Sequence, residues 1–97
     1  MPRVFKINGY LVYFWSNEND EPIHVHVSKG KPSSNATKFW LLRNGTFSLV
    51  HNNSKISAKD LKHIENAIAN NKDEIISKWL QHFGKVTFYS KLEIIEK

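Results

Sequence analysis

The chain has 97 residues, with 14 Lys or Arg against 9 Asp or Glu, a formal net charge of +5. That length bounds one domain with a small core. With 40% hydrophobic and 12% aromatic residues the composition is globular, and the absence of cysteine excludes a disulfide framework or a thiolate zinc site. No apolar run approaches a membrane span, and the opening Met1-Pro2-Arg3-Val4-Phe5-Lys6 lacks a signal-peptide core. These features point to a cytoplasmic protein. The basic balance favours anionic partners such as RNA, DNA or an acidic protein, and serves solubility equally well.

Arg3 to Ile7 alternates weakly and predicts a first strand. Asn8-Gly9 tolerates positive φ at both centres of a type I′ turn, a strong hairpin signal. The return strand, Tyr10 to Trp15, is apolar on both faces, with Tyr10, Val12 and Phe14 on one and Leu11, Tyr13 and Trp15 on the other. Such a strand is expected to be covered on both sides. Ser16 to Asp20 is a polar loop. Glu21-Pro22-Ile23-His24-Val25-His26-Val27 then reads as a strand with Ile23, Val25 and Val27 on one face and His24 and His26 on the other. Lys29 to Asn35 predicts a basic, mobile loop. Ala36 to Leu42 is a fourth strand, Asn44-Gly45 repeats the turn signal, and Thr46 to Val50 is a fifth.

After a polar loop from His51 to Lys55, Ser57-Ala58-Lys59-Asp60 resembles a capping box. Leu61, Ile64, Ile68, Ile75, Trp79 and Phe83 hold one helical stripe. Asn70-Asn71 interrupts it, leaving one bent helix or two. Gly84 is placed to end the helix in the left-handed conformation. The reading is thus an α+β fold over residues 1–84: an antiparallel sheet of about five strands, two Asn-Gly hairpins flanking a central His-x-His strand, and one face covered by C-terminal helix. Residues 85–97 form an extension whose apolar run from Val86 to Ile95 predicts an edge strand or a tail ordered by a partner.

The order of Glu21-Pro22-x-His24-Val25-His26-Val27, Lys38-Phe39-Trp40-Leu41, Ser57-Ala58-x-Asp60-Leu61-x-x-Ile64 and Trp79-x-x-x-Phe83-Gly84 resembles a family of small bacterial proteins, domain of unknown function 4160. Asn8-Gly9-Tyr10 and Phe14 to Asn17 fit as well. The resemblance implies a member of a toxin–antitoxin-like pair, a small cognate partner encoded nearby, and RNA-directed activity. Two positions depart from the family pattern. Ile23 stands where a second proline is frequent, and Ser54-Lys55 replaces a glycine usual just before the helix.

His24 and His26 are the foremost candidates for chemistry. Two positions apart on a strand, their Cα atoms lie about 6.5–7 Å apart on one face. Two imidazoles so placed could bracket a phosphate as general base and general acid, with the 2′-hydroxyl of RNA as nucleophile and no cofactor. Lys38 could stabilise the anionic transition state. The alternative is a purely structural pair stacked on aromatics. The same pair could start a metal site with Glu18, Asp20 or Glu21, although the spacing is loose and no metal is assigned. Lys29, Lys31 and Arg43, with Trp40 and Tyr13, would offer cations and stacking platforms to single-stranded nucleic acid. Against that stands a reading in which the rings are core and the cations ordinary solvated charges. The function so read is RNA-directed, ribonuclease-like activity in a toxin–antitoxin-like pair; the alternative is a non-catalytic nucleic-acid-binding or protein-interaction module.

Overall fold

The computed structural model describes residues 3–17 and 21–89. Five strands, β1 (Arg3–Ile7), β2 (Tyr10–Tyr13), β3 (His24–Lys29), β4 (Thr37–Leu41) and β5 (Phe47–His51), precede two helices, α1 (Ala58–Asn70) and α2 (Lys72–Phe83). The strands form one antiparallel sheet in the order β1-β2-β3-β4-β5, each paired with its neighbours in sequence. The α+β expectation holds.

The hairpins form by different turns. Asn8 and Gly9 both take positive φ, 47° and 83°, as a type I′ turn requires. At the second hairpin only Gly45 does, at 89°. Its N–H donates to Leu42 O and the Leu42 N–H to Thr46 O. This is a type I turn closed by a left-handed glycine, the other common short hairpin.

The two faces of β2 separate as its alternation predicts. Val12 and Phe14 join Ile23, Val25, Val27, Phe39 and Leu41 in the main core, which α1 and α2 cover with Ile64, Ile68, Ile75 and Trp79. Leu11 and Tyr13 are buried on the opposite face with Ala36 and the flank of Trp15. The β3–β4 loop closes that second cluster. The Tyr13 hydroxyl donates to Ser33 O and accepts from the Ser33 N–H, both at 3.2 Å, and Ser54 Oγ donates to Asn35 O at 2.8 Å. The stretch expected to be mobile is therefore pinned at two points, because its polar groups are answered by side chains distant in sequence.

The helical stripe resolves into two helices. Ser57 caps α1 by accepting from the Asp60 N–H at 3.2 Å. Asn71, at φ −113° and ψ 20°, ends α1 and opens α2, and its side-chain amide donates back to Ala67 O. Gly84 closes α2 at φ 79°. Beyond it, Val86 and Phe88 pack against the main core, the Ile23 N–H donates to Thr87 O at 2.8 Å, and Tyr89 bridges Leu42 in parallel. The first residues of the extension thus lie on the domain itself. Residues 90–95 of the expected strand or tail fall outside the described residues.

Candidate functional site

The sheet face turned away from the helices carries the site. Strand pairing sets Tyr13 opposite His26, His26 opposite Lys38, and Lys38 opposite His51. Opposed residues of antiparallel strands share a face, with Cα atoms about 4.5–5.5 Å apart. Four strands thus contribute one row, Tyr13–His26–Lys38–His51. A second, shorter row sets His24 opposite Trp40 and Trp40 opposite Ser48.

The two histidines of β3 have different fates. His24 is fully buried, at 0% exposure. Its Nδ1–H donates to Pro22 O at 2.8 Å, and its ring meets those of His26, Trp40 and Trp79 at 5.0, 5.5 and 5.2 Å. The expectation that these two imidazoles together bracket a phosphate is corrected here. Pairing of β2 with β3 stops at Tyr13–His26, one position short of His24 on that face, and aromatic rings close the flank. A sealed imidazole whose Nδ1 is already engaged cannot meet a substrate. His26 is half-buried, 5.5 Å from Tyr13 and 6.3 Å from Trp15.

Lys38 donates to Glu21 Oε1 at 2.8 Å, the two side chains being 16% and 42% exposed. Its ammonium also stands 4.2 Å from the Trp40 ring centroid. The pair is part-buried and its carboxylate is the more open end, the side from which an anionic ligand would compete with Glu21 for the lysine. Trp40 stacks on Tyr89, centroids 5.0 Å apart and rings 3° from parallel. His51 is half-buried. Its Nδ1 is enclosed without a hydrogen-bond partner among the described residues, while Nε2 is not among the enclosed atoms.

The remaining sequence candidates are dispersed. Tyr13 is buried at 0% exposure with its hydroxyl held by Ser33, so it is core rather than a stacking platform. Lys29 and Lys31 are exposed at the β3–β4 loop. Arg43 is exposed past the other end of β4, over Phe88. Five residues of strand from Lys38 to Arg43 amount to about 16 Å, so the cations do not gather into one patch. Glu18 and Asp20 lie outside the described residues. Among those described, no three His, Asp or Glu side chains converge to hold a metal. No described helix is long and apolar enough to cross a membrane.

His51 is not among the candidates that the sequence singles out. Simple alternation puts it on the opposite face of β5 from Ser48. The register shifts between Lys38 and Phe39, so that β5 uses an extra residue there and His51 comes opposite Lys38. Nothing in the spacing of residues announces that irregularity.

A family model described as Domain of unknown function (DUF4160) matches residues 9–80, well over half of the chain. The chain belongs to that family. The matched span of this DUF4160 protein runs from the first hairpin into α2 and takes in His26, Lys38, Trp40 and His51. No curated protein and no solved structure matches the chain.

Proposed function

We propose that this protein is one member of a toxin–antitoxin-like pair and that the open face of its sheet contacts RNA. The observation that carries the reading is the cross-strand row His26–Lys38–His51, half-buried and flanked by Trp15 and Trp40. An ammonium and two imidazoles offer donors to phosphate oxygens; Trp15 lies beside His26, whereas the Trp40 ring is already covered by Tyr89 and by the Lys38 ammonium. The formal charge of +5 adds long-range attraction for a polyanion. Membership of the pair is supported by the family resemblance, which implies a small protein encoded nearby.

The test is binding of a short single-stranded RNA of mixed sequence, followed by fluorescence anisotropy. Affinity falls steeply between about 50 and about 200 mM salt, as counterion release requires. Lys38→Gln weakens it and flattens the salt slope. Undetectable binding, or a flat salt response, would overturn the reading.

A second reading concerns a protein partner. Strand β5 is an edge of the sheet, and its Leu49 and Val50 are each 40% exposed. An exposed apolar edge is a template for strand addition. If this edge seats the cognate protein, Val50→Lys abolishes co-purification of the two while leaving RNA binding intact.

A further inference from the structure

We infer that His26 and His51 are a general acid–base pair that cleaves RNA, with Lys38 between them. The inference rests on the reading of the open face as an RNA-contacting surface and adds chemistry to it. The two imidazoles come from strands separated only by β4, so their Cα atoms stand about 10 Å apart on one face. That gap is of the size needed to admit a phosphodiester between two rings. The ammonium that would meet the phosphate belongs to Lys38, the residue opposite both. The pair His24 and His26 cannot do this work, because His24 is sealed.

His51 carries the second observation. A buried polar nitrogen left without a partner costs free energy and calls for a reason. With Nδ1 enclosed, the exchanging atom is Nε2, which is not enclosed. Lys38 lies opposite His51 on β4, and Glu21 is bonded to that lysine.

The step needs no co-reactant. One imidazole takes the proton from the ribose 2′-hydroxyl as the 2′-oxygen bonds to phosphorus. The P–O5′ bond breaks, and the other ring, as imidazolium, gives its proton to the departing O5′. The products are a 2′,3′-cyclic phosphate and a 5′-hydroxyl. Water then returns the proton balance of the two rings. Lys38, released from Glu21, stabilises the charge that gathers on the non-bridging oxygens.

The experiment uses the full chain, with chelator present, on a mixed-sequence RNA oligonucleotide and its 2′-deoxy counterpart. The expected result is RNA fragments ending in 2′,3′-cyclic phosphate and an intact deoxy strand. His26→Ala and His51→Ala each slow cleavage by about 100-fold or more at saturating RNA, a loss that weakened binding alone does not produce. His51→Gln, which keeps a polar side chain in place, shows the same loss should the alanine variant fold poorly. His63→Ala, an exposed helical histidine, cleaves at the parent rate. RNA bound but uncut by the parent chain overturns this inference and leaves the binding surface standing. Cleavage undiminished in His51→Gln, or an equally cut deoxy strand, also overturns it. No binding at all removes both.

Discussion

Asn52 grips Ile56 at both of its backbone polar groups: the amide of Asn52 donates to Ile56 O at 2.8 Å, and its carbonyl oxygen accepts from the Ile56 N–H at 3.0 Å. The same oxygen accepts from the buried Thr37 hydroxyl at 2.7 Å. Between the gripping residues Lys55 is forced to φ 56°, a left-handed backbone that a side chain resists. Lys55→Gly should therefore stabilise the protein by about 0.5–1 kcal/mol, the left-handed penalty outweighing the flexibility glycine adds to the unfolded chain. Urea unfolding checks this. A lowered midpoint would mean the lysine side chain contributes more than its backbone costs.

His24 supplies the sharpest division between structure and chemistry. Its ring is enclosed by Trp40, Trp79 and His26 and hydrogen-bonded to Pro22. His24→Ala should cost about 2–4 kcal/mol, the sum of a cavity and a broken bond that strands a carbonyl. Thermal unfolding followed by circular dichroism reads it. A loss within a few tenths of a kcal/mol would show that the ring is not a core element.

The parallel stack of Trp40 and Tyr89 ties the chain beyond α2 to the open face. Removing the ring with Tyr89→Ala should cost about 1 kcal/mol, whereas Tyr89→Phe keeps the stack and stays near the parent. Equal midpoints for the two variants in chemical denaturation would show that the stack holds nothing.

Tyr10 donates to Asp60 Oδ2 at 2.9 Å, joining β2 to the first turn of α1. Partial burial, and then the bond to Asp60 and its charge, push the phenol above its ordinary range. A proton held more tightly in the folded state contributes stability that is fully present below the unfolded tyrosine value, about 10, and is lost as pH rises through the raised one. Tyr10→Phe should cost about 1 kcal/mol near neutral pH, and the gap between parent and variant should narrow above pH about 10. A gap that stays constant to high pH would place the stabilisation elsewhere.

Local rules carried far in this chain. Alternation on β2 sorted Val12 and Phe14 from Leu11 and Tyr13, and Asn8-Gly9 announced its turn by chemistry that only neighbours need satisfy. The capping Ser57 and the interruption at Asn71 were visible for the same reason. What stayed hidden depends on contacts across long separations. Trp79 closes over His24 from 55 positions along the chain. Ser33 meets Tyr13 from 20 positions away. The extra residue that brings His51 opposite Lys38 is a property of two strands together, and neither β4 nor β5 declares it alone.

Because every strand pairs only with those before and after it in sequence, the sheet can be assembled hairpin by hairpin as the chain leaves the ribosome. The helices that shelter Val12, Phe14, Val25 and Phe39 emerge last. Any sheet that forms before them turns a bare apolar slab toward water. It is in that interval, before α1 and α2 arrive, that the molecule is most open to capture by a chaperone or by another copy of itself.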